Sequence, residues 1–189
     1  MITGRAAAIG GPLFLLFFLA GCCAMPVSPQ SLQRELAAEP SATAVLQRHC
    51  DRLTGGRTPL RAQRLPNDHE PALPDLLANL AVSDRNALAV RHVSLHCGNV
   101  VFSEAWNWYV TARLTPEMNR ILASTDQPFG RVVRPLGFHR HSVASTLTGL
   151  PRGIILQNRA LLLRHDDAPI AFVLENYFPA VLDSMLPED

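Results

Sequence analysis

The stretch LAVRHVSLHCGNVVFSEAWNWYV, residues 88–110, decides the fold. Its apolar period is two: Ala89, Arg91, Val93, Leu95 and Cys97 share one face, and Val90, His92, Ser94 and His96 share the other. That alternation predicts a strand from Leu88 onward. Gly98-Asn99 then supplies a turn, and Val100 to Val110, rich in aromatic and β-branched residues, predicts its antiparallel partner. Downstream the reading repeats: a strand over Leu136 to Ser142, then Ile154 to His165 and Ile170 to Phe178 as a hairpin closed by Asp166-Asp167-Ala168-Pro169.

Upstream the period is helical. Leu32 and Leu36 share a face within a short helix over Ser31 to Ala38. Ser41 reads as the N-cap of a second helix carrying Val45, Leu46, His49, Cys50 and Leu53, which Gly55-Gly56 end. Residues 57–75, with prolines at 59, 66, 71 and 74, read as irregular or edge structure, and Leu76 to Leu80 as a helical turn. Thr115-Pro116-Glu117 opens a helix through Ala123, and Gln127 to Arg131 reads as a turn. Helices first and hairpins afterwards predict an α+β single domain, an antiparallel β-sheet with helices packed against it.

The N-terminal residues carry a different signal. Arg5 precedes an apolar run from Ala6 to Leu19, too short to span a bilayer but suited to a signal-peptide core. The run ends in Leu19-Ala20-Gly21-Cys22, which resembles a bacterial lipobox. The resemblance implies a signal peptide over residues 1–21, lipidation (diacylglycerol and palmitate) at Cys22, a tether over 22–30, a domain over 31–182 and a tail over 183–189. It also implies a membrane-anchored lipoprotein of the cell envelope, sorted to the outer membrane because Cys23 rather than Asp follows. Translation from Met25 would instead give a cytosolic protein. A net charge of +1 speaks against a nucleic-acid partner.

Two charges do not fit a bland core. Arg91 lies between Ala89, Val93 and Leu95 on an apolar face, and Glu175 lies in a segment, Ile170 to Phe178, apolar on both sides. Buried charges need partners. Either the two pair with each other, or they line an enclosed polar pocket in which Arg91 grips a ligand carboxylate and Glu175 meets its hydroxyl or ether end. The helix after Ser41 adds free N–H groups at Ala42 and Thr43, an anion-attracting end. Cys50 and Cys97 can pair or remain buried thiols; both readings stay open. His139 with His141, and His49-Cys50 with His96-Cys97, lack a recognised metal spacing, so no metal site is expected.

Four short stretches, in order, now carry a family likeness: Pro40 to Leu46 with its Ser-x-Thr helix start, Val90 to Leu95, Gln127-Pro128-Phe129-Gly130-Arg131, and Leu174-Glu175-Asn176-Tyr177-Phe178-Pro179. From Ser31 to Pro179 the chain resembles the chorismate pyruvate-lyase family. The resemblance implies a chorismate lyase-like fold and a cofactor-free reaction that removes pyruvate from chorismate to give 4-hydroxybenzoate. It implies Arg91 and Glu175 as catalytic residues, with Arg91, Ala42, Phe129 and Glu175 binding an aromatic or cyclohexadiene carboxylate. The family's second arginine is missing, since Ser103-Glu104-Ala105-Trp106-Asn107 stands at its place; Arg140 or Arg159 are the candidate substitutes. The alternative expectation is a non-catalytic envelope lipoprotein that binds an aromatic acid in the same pocket.

Overall fold

The computed structural model describes Met1 and residues 28–183. The expected signal peptide, the expected lipidation site at Cys22 and residues 184–189 lie outside the described residues.

Each helix starts where its cap chemistry says it should. Helix α1 (Pro29–Ala38) begins two residues earlier than expected, because Ser28 and Ser31 cap each other's backbone reciprocally and Pro29 occupies the first turn. Helix α2 (Ala42–Thr54) is capped by Ser41 and closed by Gly55 at φ 64°, a left-handed position that glycine adopts without steric cost. Helix α3 (Leu76–Asn79) is a single turn, and α4 (Pro116–Ser124) takes its cap from Thr115. The turn expected at Gln127 to Arg131 is instead helical: α5 (Phe129–Val133) starts after Pro128. A last turn, α6 (Ala180–Asp183), follows the sheet.

Six strands form one antiparallel sheet: β1 (Arg61–Arg64), β2 (Leu88–Cys97), β3 (Val100–Val110), β4 (His139–Thr146), β5 (Leu156–Leu163) and β6 (Pro169–Tyr177), in the order β1-β2-β3-β6-β5-β4. The α+β architecture read from the sequence is the one observed. Strand ends move: β4 runs His139–Thr146 and not Leu136 to Ser142, because a 3-10 turn over Arg134–Leu136 runs into Gly137 at φ 60°, and the ends of β5 and β6 differ by one or two residues from those expected. Strand β6 lies between β3 and β5, which explains why its sequence is apolar on both faces.

Register assigns the faces. Arg91 pairs with Asn107, Ala105 with Glu175, and Glu175 with Asn158, so these five share the face covered by helices. That face holds two apolar clusters. One gathers Leu32, Leu36, Val45, Leu46, Phe102 and Tyr177 under α1 and α2; the other gathers Tyr109, Met118, Leu122, Phe129, Val133 and Leu162 under α4 and α5. Leu32, Val45 and Leu46 are fully buried, each contributing about 1.5–3 kcal/mol. The opposite face buries Trp106, Trp108, Phe172 and Leu174 beneath Leu76 and Leu80, so Trp106 and Trp108 are packing residues, while Glu104 beside them pairs with His92 at 2.8 Å.

Cys50 and Cys97 are joined in a disulfide with Cα atoms 5.4 Å apart, which ties α2 to the end of β2. Their sulfurs are thus withdrawn from any zinc site. His49, beside Cys50, is also committed, its Nε2 2.7 Å from Glu35 and its Nδ1 3.1 Å from the Val181 carbonyl.

Candidate functional site

Between the two clusters of the helix-covered face the packing leaves a cleft. Its walls are Pro40 to Thr43 at the start of α2, Phe129 and Gly130 of α5, and Val93, Leu95, Ala105, Asn107, Leu162, Val173 and Glu175 of the sheet. On the sheet floor the small Ala105 stands beside Glu175. The cleft opens to solvent, and the space between its walls, the open mouth included, comes to about 410 Å³. Helices α2 and α5 meet at its rim through Gly130, where a Cβ would stand 2.8 Å from Thr43 Oγ1 and 3.0 Å from Ser41 Oγ.

Glu175 is held from two sides. Arg140 of β4 reaches over β5 to make a bidentate ion pair with it, Nη1 to Oε1 at 3.3 Å and Nη2 to Oε2 more closely. Tyr177, two residues along the same face, donates its hydroxyl to Oε2 at 2.9 Å. Burial acts against the Arg140 charge, but the facing Glu175 carboxylate outweighs it and leaves the guanidinium above its ordinary pKa. Burial, reinforced by the Glu175 charge, pushes the Tyr177 hydroxyl well above its ordinary value, so it stays a donor.

The structure brings three of the four expected binding residues together: Ala42, Phe129 and Glu175 all line the cleft. Arg91 does not line it. Its Nη1 donates to the Gln127 carbonyl at 2.8 Å and its Nη2 to the Thr125 carbonyl at 3.0 Å, so the side chain braces the loop leading into α5. Burial, assisted by repulsion from Arg64, lowers its pKa to about 10, and its buried Nε has no partner. Arg91 and Glu175 therefore do not pair with each other. Arg140 is not a spare cation for a second ligand carboxylate, because Glu175 occupies it. Asn107 was missed at the sequence level. It stands on the same strand face as Ala105 and Tyr109, and the period of two was the signal that could have found it.

This geometry does not supply the carboxylate clamp that the lyase reading requires. The arginine meant to grip the substrate is spent on backbone carbonyls.

No family model matches the chain. Among solved structures it is similar to PhnF from Mycobacterium smegmatis, at 13% identity and TM-score 0.49 over 75% of this chain and 65% of that one. It is also similar to the effector domain of the same protein, at 14% identity and TM-score 0.44 over 64% and 77% of the two chains. A third likeness is to the effector-binding domain of the trehalose repressor of B. subtilis, at 11% identity and TM-score 0.37 over 69% and 94%. Two of these are described as effector or effector-binding domains. No family model supports membership of the lyase family, and the lyase activity, the lipid anchor with its membrane partner and the envelope location, which the resemblances alone had implied, are withdrawn with it. No helix among the described residues is long and apolar enough to cross a membrane.

A relative stands much nearer in sequence: the uncharacterized protein y4mC of Sinorhizobium fredii, 35% identical over 181 residues that span 84% of this chain and 76% of that protein. The chain belongs to the family of that protein.

Proposed function

We propose that this chain is a small-molecule-binding domain whose ligand places a carboxylate in the cleft between α2, α5 and the sheet. The observation that carries the reading is the Arg140–Glu175 pair at the cleft floor, its side chains only 8% and 12% exposed beneath largely apolar walls. Apolar walls with a few fixed polar groups are the usual composition of a ligand site. A buried ion pair is a weak source of stability compared with an apolar replacement, so a ligand role is a reason for it to stand there.

The remaining polar groups suit an anion. Helix α2, with 13 residues, presents its first N–H groups at Ala42 and Thr43 on the cleft wall. The Thr43 and Ser41 hydroxyls stand at the same rim. The ligand carboxylate sits at the start of α2, and the rest of the ligand extends along Leu95, Phe138 and Leu162. Arg91 acts at one remove, by fixing the loop that sets Phe129.

Calorimetric titration with butyrate, set against butanol as the uncharged analogue, tests the reading. Saturable binding of butyrate alone is expected, weakened at least tenfold by Gly130→Ala and not by Glu175→Gln, which removes a like charge and frees Arg140. Equal responses to both compounds, or none to either, contradict it.

A further inference from the structure

One buried amide on the cleft floor is only half satisfied by the described residues. Asn107 of β3 is 5% exposed and lines the cleft. Its orientation is set by its neighbour across the strands: the Arg91 carbonyl can only accept, and Asn107 Nδ2 donates to it at 3.3 Å. The amide oxygen Oδ1 points the other way, and it accepts no hydrogen bond from any described residue. Nε of Arg91, the residue paired with Asn107, is buried and likewise without a partner. Buried polar atoms are normally paired, so two exceptions on one cross-strand pair mark this part of the floor as short of a polar group.

The other acceptor on the floor is already engaged. Both Glu175 oxygens receive the Arg140 fork, and Oε2 also takes the Tyr177 hydroxyl. Asn107 Oδ1 is therefore the acceptor that a ligand finds free. Its surroundings on the sheet are apolar: Val93, Leu95, Ala105, Leu162 and Val173. The donors stand apart from it, at the N–H groups of Ala42 and Thr43 that begin α2. Ala42 packs with Val93, Leu95 and Ala105 in one cluster, whereas Asn107 pairs with Val173 of the other. Asn107 lies two residues along β3 from Ala105, a rise of about 6–7 Å. The cleft thus offers donors on one side, an acceptor on the other and apolar surface between them.

We propose that Asn107 is the specificity-determining residue of this site and that the ligand is a hydroxycarboxylate, an assignment that rests on the carboxylate reading above. The ligand hydroxyl donates to Asn107 Oδ1 while its carboxylate meets the start of α2. Discrimination follows from what each ligand leaves unpaired. A ligand with a methyl group in place of the hydroxyl covers Oδ1 with carbon and strips it of water, so an acceptor is buried without a partner. A site built to pair a hydroxyl rejects the analogue that lacks it for this reason. The bond from Nδ2 to the Arg91 carbonyl holds the amide plane, so Oδ1 is presented in one orientation.

The test is calorimetric titration of the purified protein with 4-hydroxybutyrate and with pentanoate, which matches it in size and ends in a methyl group. The unaltered protein is expected to bind 4-hydroxybutyrate about tenfold more tightly than pentanoate. Asn107→Leu keeps the size of the side chain without its acceptor and is expected to reverse the preference, which a change in overall stability would not do. The comparison in the unaltered protein decides the matter even where that variant fails to fold. Equal affinities for the two compounds, or a preference for pentanoate, in a protein that binds butyrate would overturn the role of Asn107 and leave the carboxylate reading standing. A hydroxyl preference that survives in folded Asn107→Leu would overturn it as well. Binding of none of the three compounds would remove both readings.

Discussion

Arg140 and Glu175 meet although their strands are not neighbours: Arg140 on the edge strand β4 crosses β5 to grip Glu175 on β6. The pair stands on the wall of the cleft. Stability and binding are therefore tied to the same two side chains.

Breaking the pair from either side leaves one buried charge unmatched, a loss of about 3–5 kcal/mol. Glu175→Gln and Arg140→Met are each expected to lower stability by that order in urea denaturation. The double variant Arg140→Met/Glu175→Gln removes both charges and keeps an acceptor for Tyr177, so it should cost less than either single change. Single variants within about 1 kcal/mol of the parent would mean that the pair is not buried as described.

The Cys50–Cys97 bridge spans 47 residues of sequence, which corresponds to about 4 kcal/mol of lost denatured-chain entropy. Reduction, or the double variant Cys50→Ala/Cys97→Ala, should shift the urea midpoint downward accordingly. Reductant should leave the double variant unmoved. A parent protein indifferent to reductant would show that the bridge does not form in solution.

Gly130→Ala would set a Cβ 2.8 Å from Thr43 Oγ1 and 3.0 Å from the Ser41 hydroxyl that caps α2. Thr43 can turn aside, but displacing the cap costs about 1 kcal/mol and narrows the rim of the cleft. The expected result is a small loss of thermal stability with a larger loss, at least tenfold, in butyrate affinity. Unchanged affinity would remove Gly130 from the site.

Acid should destabilise the fold through His49 and Glu35. Burial lowers the His49 pKa below its ordinary 6.5, with Glu35 partly offsetting it. Burial raises Glu35, but its bond to His49 wins and holds it below 4.5. In both cases the unfolded chain binds more protons, so the stabilisation is present above the unfolded pKa and is lost on acidification, first below about pH 6.5 and then below about pH 4.5. The melting temperature should fall steadily from pH 7 to pH 5, with a shallower slope in His49→Gln. An equal slope in the two proteins would exclude His49 as the cause.

The sheet was legible because period two is written plainly in Leu88 to Val110, and the caps at Ser41, Gly55 and Thr115 announced their helices. Helix α5 was not, since five residues after a proline give no apolar period to read. Burial arguments found Arg91 and Glu175 as misplaced charges but could not choose their partners, because pairing depends on strand order. Nothing in the sequence says that β5 and not β3 separates Arg140 from Glu175, or that the Thr125 and Gln127 carbonyls come within reach of Arg91. The family likeness carried the fold and misled on chemistry, for its residues recur here with the arginine turned to backbone carbonyls.

The most direct test of the central claim is an NMR titration of the purified protein with butyrate, followed residue by residue. The account predicts saturable shifts centred on Ala42, Thr43, Asn107, Phe129 and Glu175, abolished in Gly130→Ala. Shifts scattered over the surface, or absent from these five residues at saturating butyrate, would contradict it.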